Sequence, residues 1–147
     1  MRYFVKETDT ILFSPNFQSA VLVGNLSVSL SVLGLRTVFV AGQKVCVASD
    51  VQNVKIFGVG YTNPAGGATI PGTGNIILSN LSDIFLASSV LVNGERVWVY
   101  SFGAQLPAEF QVVVPAQKPG TPPVPDTILS FLGFATIQGV QTQVYTI

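Results

Sequence analysis

Residues 20–35 read AVLVGNLSVSLSVLGL, the longest apolar stretch in a chain of 147 residues. A spanning helix needs about 20 apolar residues, and this stretch is both shorter and interrupted by Gly24, Asn25 and three serines. Its second half alternates, with Leu26, Val28, Leu30 and Val32 on one side and Ser27, Ser29 and Ser31 on the other. Period two is the mark of a half-buried strand. A membrane barrel would repeat the pattern about every ten residues between aromatic girdles, and the later segments do not keep it. The stretch therefore reads as strand in a packed β domain.

On both sides of this stretch, strand-like runs rich in Val, Ile, Phe and Thr fill the chain. They are expected at Thr10–Ser14, Ser19–Val23, Leu26–Val32, Thr37–Ala41, Lys44–Ala48, Val54–Val59, Asn75–Ser79, Ser89–Val92, Arg96–Ser101, Glu109–Val114, Phe134–Gln138 and Gln141–Ile147. Turn residues separate them at Ala41-Gly42-Gln43, Asn93-Gly94-Glu95 and Gln138-Gly139-Val140. Asn93-Gly94 is the strongest hairpin signal, because both residues tolerate the positive φ of a type I′ turn. A short helical piece is expected only around Asn80–Ala87, where Ser82-Asp83 could cap a turn. The fold class is all-β: a small single domain of short strands, cone- or sandwich-like, with little or no helix. Within it we distinguish a strand-rich extension or arm over residues 1–35 from a β-rich unit over 36–147. A stiff Pro-rich loop over 118–126, KPGTPPVPD, interrupts the second. Too few residues follow that loop to build another core, so one folding unit is expected.

Charge is scarce. Asp, Glu, Lys and Arg make up 10% of the chain and hydrophobic residues 48%, whereas an ordinary soluble domain carries about 25% charged residues. Such a surface is poorly solvated unless much of it is permanently covered, which points to an assembly subunit. Seven basic and seven acidic residues cancel, so no basic face is expected to attract nucleic acid. The opening MRYFVKETDT lacks the apolar core of a signal peptide, and assembly in the cytoplasm is the expectation.

The chemistry is mostly absence. The chain has no histidine, which excludes Ser-His-Asp, Cys-His and histidine-metal arrangements. No catalytic residue, metal site or cofactor is expected. Cys46, within Val45-Cys46-Val47, reads as a buried small hydrophobe. Glu7 with Asp9 and Asp83 with Glu95 are the acid/base pairs that could be drawn, but no pattern brings either pair together. Residues 66–75, GGATIPGTGN, lack the lysine of a phosphate loop and the strand-to-helix context of a dinucleotide fingerprint. In Val97-Trp98-Val99-Tyr100, alternation places Trp98 and Tyr100 on one face, which could stack a sugar or a base, but the apolar surroundings favour core or subunit-interface packing.

The run Gly42-Gln43-Lys44-Val45, Tyr61, Gly66-Gly67-Ala68-Thr69-Ile70-Pro71-Gly72-Thr73-Gly74, Val92-Asn93-Gly94-Glu95, Phe110-Gln111-Val112-Val113-Val114 and Pro115-Ala116-Gln117-Lys118-Pro119 resembles the PAAR-like spike-tip proteins of contractile injection systems. The resemblance covers half to two thirds of the chain. It implies a non-enzymatic β-rich cone that caps a trimeric spike protein, touches baseplate subunits, and points at the target membrane in a released or cell-bound particle. Gly66, Gly67, Pro71, Gly72 and Gly74 would then be corners of the cone, alongside the Asn93-Gly94 turn. The metal that commonly sharpens such tips, held by three histidines and a cysteine, is not carried over to a chain without histidine. The rival reading is a β-sandwich binding module on a virion or cell surface that contacts glycans through Trp98 and Tyr100.

Overall fold

A computed structural model describes residues 2–32, 38–40, 42–139 and 144–145. The ends of the expected strands at Leu26–Val32, Thr37–Ala41 and Gln141–Ile147 are shorter or differ here, and Thr37, Ala41, Val140, Gln141 and Ile147 lie outside the described residues.

The amino-terminal strands are short: β1 (Arg2–Phe4), β2 (Thr10–Phe13), β3 (Asn16–Phe17), β4 (Ala20–Val23) and β5 (Ser27–Ser29). A separate two-stranded ribbon follows, β6 (Phe39–Val40) with β7 (Gln43–Lys44). Then come β8 (Lys55–Asn63), β9 (Ala68–Leu78), β10 (Leu86–Val92), β11 (Glu95–Tyr100) and β12 (Leu106–Val114). The Pro-rich excursion holds β13 (Gln117–Lys118) and β14 (Val124–Pro125), and β15 (Ser130–Gln138) and β16 (Val144–Tyr145) complete the series. The expected helical piece is only one 3-10 turn, Asp83–Phe85, and the Ser82 side chain makes no capping bond to it.

The main sheet has the order β3-β4-β8-β9-β12-β15-β2-β5 and every neighbouring pair in it is antiparallel. It curls into a half-barrel until β3, at one edge, meets β15. The Ser14 N–H donates to the Phe134 carbonyl (3.0 Å) and the Leu132 N–H donates to Gln18 Oε1 (3.0 Å). Phe17 packs flat on Gly133, where an added Cβ would stand 2.5 Å from the ring. Phe17, Tyr61, Phe110 and Phe131 fill the interior, their rings 5.0–6.5 Å apart in tilted and edge-on pairs, the arrangement that ring quadrupoles favour.

A second sheet, β10-β11-β1-β16, lies across one end of the half-barrel. Its alternation sorts two cores: Trp98 and Tyr100 join the barrel core, whereas Val97 and Val99 pack with Val45, Val47, Ala87 and Val92. Residues 2–32 are woven into both sheets. β1 pairs with β11, β2 with β15 and β4 with β8, and Val5, Ile11, Phe13, Phe17 and Leu22 are core residues. Burying side chains of that size, at about 1.5–3 kcal/mol each, packs residues 2–32 into the same domain as the rest.

Candidate functional site

The end of the half-barrel away from the small sheet is built by the β8–β9 hairpin and the Pro-rich excursion. β8 rises to Asn63; Pro64–Gly66 form a 3-10 turn that Gly67 closes with φ +80, and β9 descends. Gly66 and Gly67 thus sit in the turn, but Pro71, Gly72 and Gly74 do not. The corner expected there is corrected to continuous strand, because β9 runs from Ala68 to Leu78 and is paired on both sides, with a register irregularity against β8 between Ala68 and Gly72.

What the glycines supply instead is close approach. A Cβ on Gly72 would run into the Val114 carbonyl oxygen and the Ala116 nitrogen. On Gly74 it would stand 2.5 Å from both the Gln111 carbonyl oxygen and the tip of the Phe110 ring. β12 and the crossing chain after it therefore rest directly on the backbone of β9, which only a residue without a side chain allows. Pro71 lies where β9 changes neighbour, from Gln117 of β13 opposite Ile70 to Val114 of β12 opposite Thr73. A missing N–H is tolerated at such a break.

Two polar contacts pin the excursion over this end. The Ala116 N–H donates to the Tyr61 phenolic oxygen (2.9 Å), and Asn63 Nδ2 donates to Asp126 Oδ2 (2.7 Å). The Asp126 N–H returns to the Ala116 carbonyl at 2.8 Å. Tyr61, Asn63 and Asp126 are all buried. Burial pushes the Tyr61 phenol above its ordinary value; the Ala116 hydrogen bond opposes this and the Asp126 charge adds to it. A buried carboxylate is retained only when it is hydrogen-bonded, and here Asn63 supplies the bond. Sequence reasoning missed Asn63 and Asp126 as a pair. The available signal was that Asp126 is the sole charge after Lys118.

The remaining candidates are accounted for by structure. Asn93 (φ +53) and Gly94 (φ +80) connect β10 to β11. Trp98 and Tyr100 are 0% and 2% exposed, so the glycan platform is corrected to core packing: their face of β11 looks into the half-barrel. Asp9 forms a buried ion pair with Lys6 (3.0 Å), Asp83 accepts from Arg96 Nη1 (2.7 Å), and Glu95 accepts from the Ser49 N–H and hydroxyl. Neither drawn acid/base pair comes together. Cys46 is buried between β1 and β11, its N–H donating to the Val5 carbonyl and its carbonyl accepting from the Trp98 N–H. Among the described residues no group of three or more His, Cys, Asp or Glu side chains could hold a metal ion, and no helix is long and apolar enough to cross a membrane.

A search of curated proteins found no match. The family model for contractile injection system spike tip proteins matches residues 1–146, almost the whole chain, including the amino-terminal strands woven into both sheets. An all-β half-barrel with one end locked by glycine, proline and buried hydrogen bonds, on a sequence matched from end to end, places this chain in the contractile injection system spike tip family.

Proposed function

We propose that the protein caps the end of a trimeric spike, contacts the baseplate while the particle assembles in the cytoplasm, and helps to breach the target membrane when the sheath contracts. Its role in this reading is mechanical and non-enzymatic. The observation that carries it is the pinned end of the half-barrel. Four strands of nine to eleven residues, β8, β9, β12 and β15, run lengthwise to an end where the Asn63–Asp126 and Tyr61–Ala116 hydrogen bonds hold a Pro-rich segment down. Load along the axis is then carried by backbone ladders and close-packed aromatics, which have low compressibility. The low charge content fits a subunit whose surface is largely covered by neighbours in the particle.

The test is a particle assembled without this chain. It is expected to keep sheath contraction but to lose its ability to permeabilise target cells, and complementation with the wild-type chain should restore it. Undiminished permeabilisation by particles shown to lack the chain would overturn the proposal.

A further inference from the structure

The two ends of the molecule differ in the charges they carry. Residues 14–25, 58–75 and 112–130 meet at the hairpin end and contain two charged side chains, Lys118 and Asp126, the latter buried against Asn63; Glu109 of β12 adds a third at its margin, accepting from the Ser130 hydroxyl (2.8 Å). The apolar side chains exposed within these segments, among them Val23, Ile70, Val113, Val124 and Leu129, are aliphatic, and Phe57, 71% exposed, lies just outside them on β8. At the small-sheet end, Arg2, Glu7, Lys44, Asp83, Glu95 and Arg96 all reach solvent. Among them stand Phe39, Ile84, Leu91 and Phe102, each more than half exposed, Phe102 at 82%.

Two physical arguments assign these ends. Carrying an ionised side chain to the centre of a bilayer costs at least about 2.5–3.5 kcal/mol, so the end that enters hydrocarbon first should hold the fewest, which is the hairpin end. A lasting protein interface, in contrast, has aromatic and large aliphatic anchors at its centre inside a polar rim, and the exposed aromatics Phe39 and Phe102 stand at the small-sheet end. The length of the half-barrel agrees with this division. Strands of nine to eleven residues extend roughly 30 Å at about 3.3 Å per residue. That is close to the thickness of the hydrocarbon core, so the charged end still lies outside when the hairpin end has crossed.

We propose that the chain is mounted with its hairpin end leading towards the target bilayer and its small-sheet end seated on the spike. The inference rests on the spike-tip function proposed above, and it assigns Leu91 and Phe102 to the seated surface and Val124 and Leu129 to the leading one.

Native Cys46 is buried, so a single introduced thiol can report its own accessibility. Leu91→Cys, Phe102→Cys, Val124→Cys and Leu129→Cys are each co-purified with the spike and labelled with a maleimide, with total thiol measured after unfolding in urea. The thiols at 91 and 102 are expected to react at least tenfold more slowly in the complex than those at 124 and 129. The reverse order, or equal reaction at both ends, would overturn the orientation alone. Failure of the wild-type chain to form any complex would instead remove the spike-tip reading, and the orientation with it.

Discussion

Asn63 and Asp126 are 63 residues apart in sequence and joined by a buried 2.7 Å hydrogen bond from the amide nitrogen to the carboxylate. The bond fastens the last residue of β8 to the end of the Pro-rich excursion, and together with the Tyr61–Ala116 bond and the pairing of β13 with β9 it holds that excursion on the half-barrel.

Removing either partner leaves the other buried without its bond. Asn63→Ala and Asp126→Ala should each destabilise the protein by about 1.5–3 kcal/mol, and the double variant should cost little more than the worse single one, because the two changes delete the same contact. Urea unfolding followed by the fluorescence of Trp98, the single tryptophan, measures all three. Strict additivity would mean that the pair does not act as a unit.

The glycines of β9 are set apart by what lies against them. Gly72→Ala and Gly74→Ala force a Cβ into the backbone of the crossing chain and into Gln111 and Phe110, and overpacking against atoms that cannot rotate away costs about 1–3 kcal/mol or more. Thr73→Ala, on the exposed side of the same strand, should stay within about 0.5 kcal/mol of wild type apart from a small loss of β propensity. In a domain of this size the two glycine variants would lower Tm by about 2–4 °C per kcal/mol. Equal melting of Gly74→Ala and Thr73→Ala would refute close packing as the reason for the glycines.

Stability should fall in alkali through Tyr61. Its phenol is raised above 10.0 in the folded protein, chiefly by burial, so the folded state holds the proton more tightly than the unfolded chain does. The sign follows from linkage: the contribution is intact below pH 10, where both states are protonated, and is lost as pH rises from there through the folded value. Tyr61→Phe should be less stable at neutral pH, having lost its bond to Ala116, yet show a flatter decline above pH 10. Parallel declines in the two proteins would remove Tyr61 as the titrating group.

Strand content was legible because alternation and β-branched residues report a pleated surface whatever it packs on. The sidedness of β11 was legible for the same reason: Trp98 and Tyr100 share a face, as period two requires. Which face is wet was not, since that depends on a half-barrel assembled from strands distant in sequence. In GGATIPGTGN the first two glycines do mark a turn, but IPGTG misled because glycine and proline density usually marks turns, whereas here a central strand needed positions without side chains so that Val114–Ala116 and Phe110 could lie against it. Of the Asn63–Asp126 bond only the isolated charge of Asp126 was legible, because its partners meet only through the long crossing after β12.

In the proposed function one copy of this chain closes a trimeric spike. Native mass spectrometry of the complex recovered through a tag on this chain, after co-expression with the spike and baseplate genes, tests it most directly. The expected result is a single stoichiometry of one copy of this 15.6 kDa chain to three of a larger spike subunit. Recovery of the chain by itself as a soluble monomer, with no spike attached, would contradict the account.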